Sequence, residues 1–80
     1  MSDQQLAIAR HLVVQTLGAG ISYRIEPDAM LVDDLGADSL DLIALQCAIE
    51  DLGCDAPDET FHRGVRMRDV AALIPEGIGA

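Results

Sequence analysis

Ser39 is the residue of this 80-residue chain whose type and setting best suit chemistry. It lies in the octet Asp34-Leu35-Gly36-Ala37-Asp38-Ser39-Leu40-Asp41. Asp38 is a good helix N-cap and Asp41 follows three residues later, so the spacing predicts that Ser39 falls in the first turn of a helix. A hydroxyl there lies beside unpaired backbone N–H groups and the positive end of the helix dipole, a setting that suits a phosphodiester anion. Gly36 and Ala37 leave the approach open. Taken without its neighbours, the same serine, or Asp38, is more simply a helix cap.

Other reactive side chains offer less. Cys47 and Cys54 have no second pair and no suitably spaced His, so they do not form a metal site. On one continuous helix they would stand roughly 10 Å apart, beyond the reach of a disulfide. Free thiols in a reducing compartment are expected. His11 and His62 are isolated, and nothing local arranges a base or an oxyanion hole around either thiol. Acid/base work needs two groups converging in a pocket, and the scattered acids show no such pair. Catalysis by the chain itself is therefore not expected.

The elements that must position Ser39 follow from composition and spacing. Half the residues are hydrophobic, yet Tyr23 and Phe61 are the only aromatics, so the core must be aliphatic, which favours helices over sheets. Ser2 and Gln5 form a capping-box pattern, and Leu6, Ala9, Leu12, Val13 and Leu17 recur at helical spacing until Gly18, predicting a first helix over about residues 3 to 17. Gly18 to Asp38 reads as a long loop pinned to the core by residues such as Ile21, Ile25, Leu31 and Leu35, with Pro27 and Asp28 as the start of a short helical turn. The second helix runs from the Asp38 cap to near Gly53. Pro57, Asp58 and Glu59 open a short helix to about Arg63, broken by Gly64. Met67, Val70, Ala71, Leu73 and Ile74 form a last short helix stopped by Pro75, with a mobile tail over 75–80. The expected architecture is all-α: one domain over residues 1–80, a four-helix bundle of three longer helices and one short, with a long loop between the first and second.

Charge narrows the partners. Fourteen acids face five bases, all Arg, for a formal net charge of −9. This argues against nucleic acid or an anionic membrane and points to basic protein surfaces. Glu26 to Glu59 holds eleven acids and no Lys or Arg, and Arg63, Arg66 and Arg68 follow just afterwards. Acidic surfaces also serve solubility alone. No apolar run has membrane-span length and the N-terminus lacks a signal-peptide pattern, so a cytoplasmic protein with no membrane partner is expected.

The octet around Ser39 resembles the modification motif of acyl carrier proteins, whose core is Asp-Ser-Leu at the start of the second helix. The resemblance spans nearly the whole chain: a first helix ending in Leu17-Gly18, a long loop, the motif, a Pro57-Asp58-Glu59 entry to a short third helix, and Asp69 through Ile74 in the last. It implies that a phosphopantetheinyl transferase moves 4′-phosphopantetheine from coenzyme A onto Ser39, with Gly36, Asp38 and Leu40 around the attachment. Cargo would then ride as a thioester, loaded by an acyl or aminoacyl ligase and passed to downstream transferases of fatty acid, lipid or polyketide synthesis. The carrier would act as a monomer. An aminoacyl or peptidyl carrier shares this architecture. Such carriers more often show Gly-Gly-Xaa-Ser-Leu, whereas Gly36-Ala37-Asp38-Ser39-Leu40 leans towards acyl carriers. An unmodified interaction module would be expected to have lost the serine.

Helical spacing places Leu42, Leu45, Ile49 and Leu52 on one face of the second helix, as a core stripe. Leu40, Ile43, Ala44 and Cys47 fall on the opposite face, with Asp51 beyond, and a helix apolar on both faces is either sandwiched by the loop or partner-facing. The resemblance implies a recognition face of mixed apolar and acidic character here, to which Asp41, Glu50 and Asp51 contribute. Two departures stand out: Ala44 replaces the Glu common in the family, and Arg63 and Arg66 belong to an atypical basic stretch that would also meet partners. Both suggest a specialised carrier serving a dedicated pathway.

Overall fold

A computed structural model of the chain describes residues 2–18, 20 and 25–75. Three α-helices are present among them: α1 (Asp3–Leu17), α2 (Ser39–Asp51) and α3 (Met67–Ala71). None of these residues forms a β-strand; one isolated antiparallel bridge joins Met30 to Arg66.

α1 begins where its capping box dictates. Ser2 Oγ accepts the Gln5 N–H at 3.2 Å, and the Ser2 N–H donates to Gln5 Oε1 at 2.7 Å. Gln5 also donates through Nε2 to the Ile74 carbonyl at 2.5 Å, tying the start of α1 to the end of the described chain. α1 packs on both α2 and α3. Ala9, Leu12 and Val13 meet Leu42, Leu45 and Ile49 of α2 and Met67, Val70 and Ala71 of α3 in one buried cluster.

The connection from α1 to α2 is anchored as expected over its described part, with Ile25, Ala29, Leu31, Leu35 and Ala37 buried. Expected contacts from Ile21 lie outside the described residues. The anchoring has a second component. Leu31 N–H donates to the Val65 carbonyl, Met67 N–H to Ala29 and Arg68 N–H to Pro27, all at 2.9–3.0 Å. Arg66 Nη1 donates to the Asp28 carbonyl at 2.8 Å, and Arg68 pairs with the Asp28 carboxylate. The loop thus lies alongside the entry to α3, satisfying backbone groups that would otherwise be stranded at its N-terminus.

Residues 31–35 make a turn that delivers the chain to α2, and Gly36 ends it at φ 80°. There the Gly36 N–H reaches the Val32 carbonyl at 3.1 Å and the Ala37 N–H reaches Leu31 at 2.8 Å. A Cβ at Gly36 would meet no atom within 4 Å, so only backbone conformation demands glycine. Gly36→Ala is expected to cost about 1–2 kcal/mol, measured as a lowered denaturation midpoint with an unchanged slope.

Three expectations need correction. The helix expected from Pro57 to Arg63 is a single 3₁₀ turn, Asp58–Thr60. Its start signals are genuine, but Phe61 leaves helical geometry (φ −93°, ψ 64°) and His62 Nδ1 takes the Gly64 N–H in a tight turn. Four α-helices are thus not seen among the described residues. α3 ends at Ala71, with Ala72 still bonded to the Arg68 carbonyl, and residues 73 and 74 tighten into i→i−3 bonds because Pro75 disfavours helical geometry in the residue before it. Ile74 is nonetheless fully buried. Leu52, expected in the core stripe, is 42% exposed. It caps α2, where Gly53 (φ 83°) closes a Schellman motif through Cys54 N–H to the Ile49 carbonyl and Gly53 N–H to Glu50. Cys54 is buried there and Cys47 is exposed, both as free thiols. The tail over 76–80 lies outside the described residues.

Candidate functional site around Ser39

α2 starts with a reciprocal cap built from two carboxylates. Asp38 Oδ1 accepts the Asp41 N–H at 2.8 Å, and Asp41 Oδ2 accepts the Asp38 N–H at 3.0 Å. Ser39, between them, takes no part. Its side chain is exposed, and neither its hydroxyl nor the N–H groups of Ser39 and Leu40 have a protein partner among the described residues. The two readings of Ser39 therefore separate: Asp38 is the cap, and the serine hydroxyl is left for something else.

Ser39 opens onto a shallow cleft of ≈ 390 Å³. Ala37 and Leu42 flank the serine, Val32 comes from the turn before Gly36, and Phe61 and Arg63 come from the segment after the 3₁₀ turn. The chain thus brings Ser39, Asp38 and Arg63 together. Val32 and Phe61 were not legible as site residues, because they reach Ser39 only through the packing of two loops. The one signal was that Phe61 is one of two aromatics in the chain.

The outer face of α2 is uncovered by any described residue. Leu40 is 72% exposed and Ile43 55%, and Ala44, Cys47, Glu50 and Asp51 are also exposed, with Asp41 half-buried at the top. Gln46, the lone polar residue between Leu42 and Ile49, does not join this face. Its Nε2 donates to the Ala56 carbonyl at 2.8 Å and to Asp58 Oδ1 at 2.6 Å, bracing the 3₁₀ segment on α2. Arg63 and Arg66 are set apart from the α2 face. Arg66 is turned to the Asp28 carbonyl, and Arg63 contacts Asp33 at 3.4 Å. No helix among the described residues is long and apolar enough to cross a membrane.

Comparison with known proteins agrees with this geometry. Residues 10–74 match the family described as "Phosphopantetheine attachment site". The chain is 37% identical to an acyl carrier protein of Solidesulfovibrio magneticus over 71 residues, covering 88% of this chain and 90% of that one. It is 38% identical to the acyl carrier protein of Zymomonas mobilis over 82 residues, covering 95% and 96%. An acyl carrier protein of Helicobacter pylori is 37% identical over 75 residues, covering 92% and 88%. Members of this family are carriers rather than enzymes, and bear 4′-phosphopantetheine as a covalent group. A match over most of the chain, around an exposed and uncommitted serine at the head of α2, places this protein in the phosphopantetheine-binding acyl carrier protein family.

Proposed function

We propose that the chain acts as one monomeric unit that carries acyl groups on 4′-phosphopantetheine attached at Ser39 and delivers them to enzymes of fatty acid, lipid or polyketide synthesis. In this reading the 3₁₀ turn at Asp58–Thr60 stands in the place of the short third helix of a four-helix carrier. The observation that carries the reading is the freedom of the Ser39 hydroxyl beside two unpaired N–H groups in a helix whose cap is made by other residues.

The residues present fit the group. Ser39 Oγ would hold the group by bonding to the pantetheine phosphorus of coenzyme A as the diphosphate bond breaks, with adenosine 3′,5′-bisphosphate leaving and the hydroxyl proton passing to the transferase. The Ser39 and Leu40 N–H groups and the N-terminal dipole of α2 favour the resulting phosphodiester anion. Gly36 and Ala37 keep the transferase's approach unobstructed. When bound, the arm supplies a terminal thiol that holds cargo as a thioester, and tethering raises its effective concentration at each docked enzyme. Incubation with coenzyme A and a phosphopantetheinyl transferase is expected to add the mass of one phosphopantetheine, located on Ser39 by fragmentation. Absence of a mass gain, or a gain on another residue, would refute the assignment.

The exposed α2 face is the proposed docking surface for the transferase, the loading ligase and the downstream transferases. Exposure of Leu40 and Ile43, with no covering segment among the described residues, supports it. Ala44 leaves the middle of that face uncharged, which favours partners with an apolar contact there and a dedicated pathway. Ile43→Ala is expected to lower kcat/KM for loading by its cognate ligase by about tenfold, since an apolar anchor is commonly worth 1–2 kcal/mol. Its melting temperature should stay within about 2–3 °C of wild type. Equal efficiency with a housekeeping carrier on fatty acid synthase enzymes would refute the specialised role.

A further inference from the structure

The cleft beside Ser39 holds a cation in an otherwise acidic neighbourhood. Asp38 and Asp41 flank the serine, Asp33 and Asp34 lie on the turn that leads to it, and among the residues lining the cleft only Arg63 is basic. Arg63 is weakly committed. Its side chain is 82% exposed, and its one polar contact among the described residues is with Asp33 Oδ1 at 3.4 Å, a carboxylate itself 46% exposed. Exposed pairs of that kind contribute little. Arg66 and Arg68, by contrast, are tied to Asp28 and the loop.

A phosphodiester on Ser39 would present two free oxygens within the same cleft, and a guanidinium binds such oxygens as a planar fork. It would also stand beside the Asp38 and Asp41 carboxylates, whose repulsion a cation offsets. The walls from Val32, Leu42 and half-buried Phe61 are apolar and match the paired methyl groups next to the phosphate of a pantetheine arm. We propose that in the loaded protein Arg63 exchanges Asp33 for the phosphodiester, holding the first part of the arm in the cleft over Phe61. This rests on Ser39 being the attachment residue. Arg63 is then a positioning residue that sets the resting direction of the arm, and its release frees the arm to enter a partner.

The test compares isotope-labelled apo and loaded forms by NMR, with loading verified by intact mass. In the wild type, loading is expected to move the amide signals of Val32, Phe61 and Arg63 as well as those of Ser39 and Leu40, and to give contacts between the arm's methyl protons and the Phe61 ring. Arg63→Gln should abolish the Val32 and Phe61 shifts and the ring contacts while leaving the Ser39 and Leu40 shifts in place. Asp33→Asn, which removes the competing carboxylate, should preserve or enlarge them. Shifts confined to residues 38–42 in the wild type, or shifts at Phe61 unchanged by Arg63→Gln, would overturn the proposal while leaving Ser39 as the attachment residue. Failure to gain mass would overturn both.

Discussion

Ser39→Ala is expected to fold like the wild type and to take up no phosphopantetheine from coenzyme A, a complete loss read by intact mass. The reason for complete loss is chemical, since alanine has no oxygen to bond to phosphorus. The reason for unchanged folding is structural. The carboxylates of Asp38 and Asp41 satisfy the first turn of α2, and the serine hydroxyl bonds to no described residue. Alanine is also the better helix former, so the variant should be as stable as the wild type or more so by about 0.5 kcal/mol. Asp38→Ala supplies the contrast. It removes the cap and should cost about 1 kcal/mol while retaining the hydroxyl. If Ser39→Ala destabilised the protein by a comparable amount, the serine would be a structural cap after all.

Ile49→Ala is expected to have the largest effect on stability. Ile49 is 0% exposed in α2, and its carbonyl accepts the Cys54 N–H that closes the Schellman motif at the helix end. Removing a buried Ile side chain costs about 2–5 kcal/mol through lost burial and the cavity left behind. A domain of this length has roughly 4–12 kcal/mol in total, so much of it would be forfeited. The denaturation midpoint should fall accordingly, and the melting temperature by roughly 10–30 °C. Leu52→Ala, three residues later, should cost under about 1 kcal/mol because that side chain is already 42% exposed.

The contrast between Ile49 and Leu52 also marks where sequence stops being informative. Both fit the apolar period of α2, but the period says nothing of where the helix ends, and at Leu52, one residue past the last helical residue Asp51, the side chain no longer faces the core. Elements whose boundaries rest on partners three or four residues away were legible: Ser2 with Gln5, Asp38 with Asp41, Gly18 and Gly53 as stops. Asp58–Thr60 had start signals and no apolar stripe to sustain a helix, and start signals alone gave one turn. The seating of Arg66 and Arg68 was not legible, because their partners at Asp28 lie some forty residues earlier in sequence and meet them only in the folded chain. At the site, the octet announced Ser39, while the cleft that joins it to Val32, Phe61 and Arg63 exists only once two loops pack together. Gln46 looked like a polar interruption of an apolar helix and is instead a brace across to Ala56 and Asp58.

The fastening of Arg66 and Arg68 to the loop has an electrical consequence. The described cations sit on α1 at Arg10 and around the entry to α3, whereas α2 carries Asp41, Glu50 and Asp51 and no base at all. Charge is therefore unevenly placed among the described residues, and if α2 is the docking face proposed above, the field of a basic partner would turn that helix forward before any surfaces touch. Such pre-orientation shortens the search for a productive encounter, and it fades as salt draws the Debye length in below about 8 Å. The rate of capture, more than the tightness of the final complex, is the quantity this arrangement governs.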